Sequence, residues 1–439
     1  MSLPVEDLVL VSVDDHLVEP PDMFERHVPA TYRDRAPRIE ERNGTQAWVF
    51  EGRVTPNIGL AATVGRPREE LGLEPNRFDQ MREGCYDVDA RVQDMNANGT
   101  FASLCFPTVP GIHGALFSRV EDRQIGLVML QAYNDWHREE WVGAHPTRFL
   151  PLAQIPYWDP KLAADEVRRM ARRGCRAFNF CQNVSAMGFP SIHDPHWDPF
   201  FTAVCDVGGV LTVHLGTSGK AMFNSMDAPY SGYMAMVNID MASFACDLIF
   251  SPVLQRFPHL RIAMSEGGIG WIPFFLERCK WIHERHSIWA HDDLGGRTPL
   301  EVFREHFLTC FIDDPCGIEM RDKIGIDLIS WECDYPHSDT TWPESPEFMA
   351  KQLEGLTADE IDKITHRNAL RFFGSDVLEQ VGRENANVKA LRAKAAGLDL
   401  RAPSAEGMTG PPKGEKRQLR VSDLMYQIMG GGTEARGST

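Results

Sequence analysis

Eight short runs of apolar residues recur along the chain, and segments with helical periodicity separate most of them. The runs carry many β-branched and aromatic residues and alternate little between apolar and polar. This pattern is typical of parallel strands that are buried on both faces. The runs span residues 8–16, 101–109, 148–156, 175–183, 210–216, 260–268, 307–314 and 327–336.

Apolar residues at helical spacing predict helices between these strands, most clearly over residues 123–142, 159–173, 197–207, 272–286 and 299–305. Strands that alternate with helices predict an α/β fold, as a closed barrel or as an open doubly wound sheet. No glycine-rich nucleotide loop follows any strand, so the main support for the open sheet is missing. We therefore expect a (β/α)8 TIM-like barrel.

Two connections are too long for simple turns, over about residues 20–98 and 217–241. Long insertions after barrel strands usually lie over the C-terminal face, where they shape the pocket. We predict a barrel domain over residues 1–374, with a C-terminal helical extension and tail over residues 375–439. The tail is extended from residue 401, and apolar spacing in residues 421–431 predicts a short docking helix.

Composition excludes some partners. The net charge of -17 disfavours nucleic acids and anionic surfaces, and no apolar run is long enough for a membrane span.

The ten cysteines form no CxxC pair, and several lie in strand-like apolar runs. They predict reduced core residues, and the start of the chain lacks the pattern of a secretory leader, so we expect a cytoplasmic protein.

Polar residues that bind metals end several of the predicted strands. Asp14 and His16 lie two residues apart, so they share one face of the first strand and would project into the barrel mouth. A carboxylate with an imidazole suits a metal such as zinc. The neighbouring Asp15 faces away and is expected to be structural, whereas Glu19 would reach the site or cap the next segment.

Three later strands end in similar residues. His214 follows the fifth run, and Glu266 follows the sixth, where a buried carboxylate needs a partner, a metal or a proton. Asp334 and His337 follow the eighth run, and Asp334 could accept a proton from metal-bound water while His337 contacts the substrate. Taken individually, His214 could be a hydrogen-bonded core residue, and Glu266 could be a carboxylate at a helix N-terminus. Taken together, the metal-binding residue types at four strand ends favour one metal site.

These motifs resemble one known family. The D-x-H at Asp14, the H-x-G at His214, the S-x-GG around Glu266 and the DYPH at Asp334 are similar to those of the amidohydrolase-2 branch of the amidohydrolase superfamily. This branch is related to aminocarboxymuconate semialdehyde decarboxylase, and the resemblance runs from about residue 9 to residue 374.

The resemblance implies a deformed (β/α)8 barrel in which Asp14, His16, His214 and Asp334 ligate a divalent metal. Many relatives have histidine where this chain has Glu266, which could act as base or ligate a second ion. The fourth strand has no lysine, which excludes a lysine-bridged metal pair. Zinc is the expected metal, with iron or manganese as alternatives and one or two ions. The resemblance and the long tail favour a homodimer.

The main functional hypothesis is hydrolysis of a thioester such as an acyl-CoA, an ester or an amide by a metal-activated water. The alternative is non-oxidative decarboxylation of an aromatic or unsaturated acid, and a third possibility is a metal-stabilised barrel without activity. A hydrolase of bulky acyl groups needs a wide apolar pocket. Its possible walls are Trp271, Trp331, Trp342, Phe106, Phe180 and the methionine-rich residues 222–236, with Arg66, Arg68, Arg82 and Lys220 as local positive charges.

Overall fold

The computed structural model of the chain describes residues 3–42, 44–56, 58–72, 75–220, 222–403 and 417–429. Its strands, in chain order, are β1 (Leu10–His16), β2 (Arg38–Arg42), β3 (Thr45–Phe50), β4 (Arg53–Thr55), β5 (Thr100–Phe106), β6 (Phe149–Leu150), β7 (Leu152–Ala153), β8 (Ala177–Phe180), β9 (Val210–His214), β10 (Arg261–Ser265), β11 (Phe307–Phe311) and β12 (Ile329–Trp331).

The described chain has ten α-helices of eight or more residues. They are α1 (Val88–Asn98), α2 (Arg123–Trp136), α3 (Pro160–Ala171), α4 (Asp198–Asp206), α5 (Tyr230–Val237), α6 (Asp240–Ile249), α7 (Ile272–Ala290), α8 (Pro299–His306), α9 (Ser345–Gln352) and α10 (Val421–Met429). The five clearest predicted helices are confirmed as α2, α3, α4, α7 and α8. Asp159 caps α3, since its side chain accepts the backbone N–H groups of Lys161 and Leu162.

All eight predicted strands are present, and neighbouring strands pair in parallel in chain order. One sheet has the order β1-β5-β6, and the other has the order β12-β11-β10-β9-β8-β7. The predicted third strand is split into β6 and β7 at Pro151, because proline cannot donate a hydrogen bond to a sheet. This strand therefore pairs with β5 in one sheet and β8 in the other.

The other junction lies between β12 and β1. The backbone N–H of Asp334 donates to Asp14 O at 2.9 Å, and that of His16 donates to Tyr335 O at 2.6 Å. No regular ladder joins β12 to β1 in the described residues. The predicted fold is thus confirmed as an α/β fold of successive parallel strands, and these bonds bring the first and last of them together.

Described parts of residues 20–98 and of the predicted tail contact this framework or each other. Strands β2–β4 form an antiparallel meander, and Val64 N–H donates to Pro336 O beside the end of β12. Residues 404–416 and 430–439 of the predicted tail lie outside the described residues. The docking helix predicted over residues 421–431 is present as α10, in which Val421 is buried. No helix in the described ranges is long and apolar enough to cross a membrane.

Candidate metal centre

Asp14, His16 and His214 converge at the carboxyl ends of β1 and β9. His214 Nε2 lies 3.1 Å from His16 Nε2 and 3.4 Å from Asp14 Oδ2, and His16 Nε2 lies 3.4 Å from Asp14 Oδ1. All three side chains are buried. Their ligand-type atoms lie within 4.8 Å of one another, which is the spacing expected around one metal ion.

Asp334 and His337 adjoin this cluster from the segment after β12. Asp334 Oδ1 lies 3.4 Å from His16 Nε2 and 2.9 Å from His337 Nδ1. The His337 ring lies beside that of His16, tilted by 33° and with 4.0 Å between the ring centroids. Asp334 has a left-handed backbone with a φ of 57°, which turns its side chain back toward β1.

The tautomer of His214 is set by the backbone. Its Nδ1 lies 2.7 Å from Leu215 O, a distance at which it donates its proton, and the Nε2 lone pair then faces Asp14 and His16. Burial lowers the pKa of His214 to about 3, so the ring is neutral near pH 7. A neutral imidazole with its lone pair aimed at carboxylates is the form that binds a metal.

The carboxylates also fit a cation. Both oxygens of Asp14 and both of Asp334 are buried without a hydrogen-bond partner in the described chain. Burial raises the pKa of Asp14, and the nearby carboxylates of Glu332 and Glu266 raise it further. Burial likewise raises the pKa of Asp334, followed by the charge of Glu332. A divalent cation would offset this repulsion and satisfy the unpaired oxygens, so these residues fit a metal.

Glu266 lies at the rim of the centre. Its Oε2 is 3.3 Å from His214 Nε2, and its side chain is 20% exposed, so it faces both the cluster and the open side. Its backbone is left-handed, with a φ of 61°, and its N–H donates to Glu332 Oε2 at 3.0 Å. Burial raises the pKa of its carboxyl, and the charge of Asp334 raises it further.

The loop after Glu266 is fixed by Asp314. Asp314 Oδ2 accepts the backbone N–H of Ile269 at 2.7 Å and that of Gly270 at 2.6 Å. A Cβ at Gly270 would lie 2.8 Å from Asp314 Oδ1, so only glycine allows this approach. Trp271 closes the loop by donating its indole N–H to Gly267 O at 2.9 Å.

Asp15 and Glu19 have structural surroundings. Asp15 accepts hydrogen bonds from the hydroxyls of Ser12 and Ser103 at 2.9 and 2.5 Å, as its predicted structural role requires. Glu19 accepts the backbone N–H groups of Thr108 and Val109 at 3.1 and 2.8 Å. It therefore caps the chain after β5 and is not directed at the metal centre.

Two supporting residues escaped the sequence analysis. Glu332 is buried beneath the centre and accepts the Cys310 thiol at 2.6 Å. Glu332 lies two residues before Asp334 at the end of a buried strand, and this spacing could have identified it as a residue near the centre. Arg91 is also buried, and it donates to His16 O and to Gly84 O. It lies on α1, 75 residues after His16, so no local pattern pointed to it.

Four of the five aromatic residues proposed as walls of a wide apolar pocket are core residues, whereas Trp271 is half-buried and residues 222–236 are half-buried or exposed. Phe180 and Trp331 have no exposed surface, and Trp342 is 7% exposed. Phe106 is also buried, but its ring centroid lies 5.0 Å from that of His214, so it packs against the metal centre.

Three of the four basic residues predicted as local positive charges have partners of their own, and the fourth, Arg68, is exposed. Arg82 pairs with Asp94 at 2.5 Å, Arg66 donates to Gln80 O at 2.6 Å, and Lys220 donates to Ser243 at 2.7 Å. These intramolecular contacts occupy N–H donors that would otherwise be available to bind a bulky anionic substrate.

Comparison with known proteins identifies the relatives of this arrangement. The sequence matches a family profile described as amidohydrolase over residues 45–375, a range that begins after Asp14 and His16. A 2-amino-3-carboxymuconate-6-semialdehyde decarboxylase from Dictyostelium discoideum is 23% identical over 77% of this chain and 88% of its own. A gamma-resorcylate decarboxylase from Polaromonas is 24% identical over 71% of this chain and 95% of its own.

Solved structures share the fold. An amidohydrolase from Mycobacterium avium subsp. paratuberculosis has a TM-score of 0.67 at 22% identity, covering 83% of this chain and 99% of its own. A 5-carboxyvanillate decarboxylase from Novosphingobium aromaticivorans, solved with bound manganese, has a TM-score of 0.60 at 17% identity, covering 85% of this chain and 99% of its own.

These relatives correct the main functional hypothesis. Hydrolysis by a metal-activated water is contradicted, because the two relatives found by sequence are decarboxylases, and the acyl-CoA substrate finds no support. The ligand set did not distinguish the two reactions. The same carboxylates and imidazoles can hold an ion that activates water or an ion that binds the oxygens of an acid.

Proposed function

Because the chain belongs to the amidohydrolase family, we propose that it is a metal-dependent decarboxylase that releases CO2 without oxidation from an aromatic or unsaturated carboxylic acid. The observation that carries the proposal is the buried cluster of Asp14, His16, His214 and Asp334, whose four carboxylate oxygens have no hydrogen-bond partner in the described chain. A small acid would enter beside Glu266, on the exposed side of this cluster.

Asp14, His16, His214 and Asp334 would hold one divalent ion. The ion would supply positive charge that binds the substrate's oxygens and stabilises negative charge on the substrate. Mixed nitrogen and oxygen ligands suit zinc, manganese or iron. We favour manganese over the predicted zinc, because manganese is bound in the Novosphingobium relative and in a dihydroxybenzoic acid decarboxylase from Polaromonas.

Residues of the chain would supply the proton that replaces the carboxylate on the substrate carbon. In the reaction, the bond between a carbon and its carboxylate breaks, CO2 leaves, and the carbon gains a proton in its place. Glu266 carries a carboxyl group at the open rim, where it would deliver that proton and recover one from water. His337, whose Nδ1 lies 2.9 Å from Asp334 Oδ1, would contact the substrate with its other nitrogen.

The proposal is tested by metal content and CO2 release. We expect protein purified without chelator to contain stoichiometric manganese, zinc or iron, and to release CO2 from at least one acid in a panel of hydroxybenzoates and carboxymuconate-type acids. Removal of the metal should abolish release, and its return should restore it. Ester or thioester hydrolysis without CO2 release, or full activity without metal, would overturn the proposal.

The matched variants are Asp334→Asn and Asp313→Asn. Asp334→Asn removes a ligand charge, so both metal content and CO2 release should fall, the latter by about 1000-fold or more. Asp313 is an exposed aspartate near the end of β11, and its substitution should leave both unchanged. Unchanged activity in Asp334→Asn would remove Asp334 from the site.

A further inference from the structure

The C-terminal residues 417–429, which we call the docked segment, pair with the second long insertion of the chain. An antiparallel bridge joins the two backbones just before α5. The backbone N–H of Tyr230 donates to Leu419 O at 2.9 Å, and that of Val421 donates to Ala228 O at 3.0 Å. The Val421 side chain is fully buried. The docked segment therefore fixes the start of α5 through backbone bonds and an apolar anchor.

Helix α5 presents two phenols to the carboxylates around the metal centre. Its less exposed positions follow helical spacing and are Tyr230, Tyr233, Met234 and Val237. Burial raises the pKa of the Tyr233 phenol, and the charge of Glu266 raises it further. Burial likewise raises the pKa of Tyr230, followed by the charge of Asp339 in the segment after β12. Both phenols therefore keep their protons near pH 7 and remain hydrogen-bond donors.

The far end of α5 lies against the loop that carries Glu266. Met241, in the first turn of α6, packs on Gly267, where a Cβ would lie 3.0 Å from Met241 Cγ. A Cβ at Gly268 would lie 3.9 Å from Nδ2 of Asn238, the residue that follows α5. Helix α5 is thus held by the docked segment at its start and by the Glu266 loop at its end. This places it beside the exposed side of the metal centre.

We propose that the docked segment fixes α5 as the outer wall of the substrate pocket, and that Tyr233 contacts the substrate from this wall. The contact with the substrate rests on the proposed decarboxylase function, in which a small acid enters beside Glu266. The phenol of Tyr233 would donate a hydrogen bond to an oxygen of that acid. The Phe223 ring supports it from the side, with 5.9 Å between the ring centroids. Val421 is a positioning residue, because it acts through α5.

Val421→Asp tests the wall without any reaction. A carboxylate in this buried position should detach the docked segment. The backbone amides of residues 228–237 should then exchange hydrogen at least about tenfold faster, and manganese-loaded protein should lose its metal to EDTA at least about tenfold faster. Val421→Ala should give intermediate rates. Gln418→Asp adds the same charge at an exposed position and should change neither rate. Wild-type rates in Val421→Asp would overturn the proposal.

Tyr233→Phe tests the contact with the substrate. For the acid that the wild type decarboxylates fastest, KM should rise at least about fivefold while kcat stays within about twofold, because one hydrogen bond to the substrate is lost. Val421→Asp should also raise KM, and it should add little in the Tyr233→Phe background, since both act through one contact. Met236→Ala, on the exposed face of α5, should leave KM unchanged.

The outcomes separate this proposal from the proposed function. An unchanged KM in Tyr233→Phe, or fully additive effects of the two substitutions, would overturn the role of Tyr233 while CO2 release by the wild type still supports a decarboxylase. If the wild type releases CO2 from no acid, the decarboxylase and the Tyr233 contact fail together. Hydrogen exchange of α5 in Val421→Asp still decides whether the docked segment fixes this wall.

Discussion

Glu266 is the residue at which this chain departs from the histidine common in the family it resembles. It stands 3.3 Å from His214, partly exposed, with its backbone fixed by Glu332. An ionised glutamate only accepts hydrogen bonds, whereas its protonated form donates one. At position 266 this chain therefore has a carboxyl group where many relatives have an imidazole. In its protonated form, this carboxyl group can donate a proton to the substrate carbon.

Glu266→Gln tests this role at the residue scale. Glutamine keeps the shape but cannot give up or take a proton, so kcat for CO2 release should fall by about 100-fold or more. Metal content should stay stoichiometric, because Asp14, His16, His214 and Asp334 are the proposed ligands of the ion. Glu266→His should recover part of the activity. Loss of metal in Glu266→Gln would instead make Glu266 a ligand, as the sequence also allowed.

At the scale of elements, the loop between β10 and α7 sets where Glu266 points. Asp314, from the segment after β11, accepts the N–H groups of Ile269 and Gly270 and also that of Gly317 at 2.8 Å. One carboxylate thus connects the loop that carries Glu266 to the next βα unit. Hydrogen bonds to a charged group stabilise more than neutral ones.

Asp314→Ala should lower the free energy of unfolding by about 2–4 kcal/mol, because three N–H groups lose their acceptor. It should also lower kcat while metal content is unchanged, since the residues proposed as ligands lie on other strands or strand ends. Urea denaturation and CO2 release measure the two effects. Asp314→Asn keeps one oxygen and should show a smaller loss of both. A destabilised variant with normal kcat would show that the loop does not orient Glu266.

At the scale of the whole molecule, the stability of the chain should depend on His137. This side chain is buried in the helical continuation of α2, stacked 6.3 Å from Tyr133, and burial lowers its pKa to about 3. As pH falls below about 6.5, the unfolded chain takes up a proton at His137 while the folded chain does not. Stability from this residue is therefore present at neutral pH and is lost toward acid.

His137→Phe removes that dependence. Between pH 7 and pH 5 the variant should lose about 2 kcal/mol less stability than the wild type, measured by urea denaturation. The exposed His259→Gln serves as the matched control. Parallel pH dependence in His137→Phe and the wild type would contradict the prediction.

The sequence predicted the parallel strands and the residues at their ends, because both depend on local pattern. His214 and Asp334 could be recognised since each follows a continuous apolar run. The role of Glu19 could not be decided from the sequence, because the two N–H groups that it accepts follow β5 and are remote from it in the chain. Arg91 and Asp314 could not be foreseen, because each acts on a backbone that is remote in sequence. The reaction itself could not be chosen either, since one ligand set serves both hydrolysis and decarboxylation.

The left-handed backbone at Glu266 has a consequence for relatives that have lost activity. A glutamate in this conformation costs about 1–3 kcal/mol, which glycine would avoid. Once selection for the reaction ends, glycine at position 266 would therefore be favoured by stability alone. The same holds for asparagine or glycine at position 334, where φ is 57°. A homologous sequence with glycine at both positions would mark an inactive descendant of this enzyme.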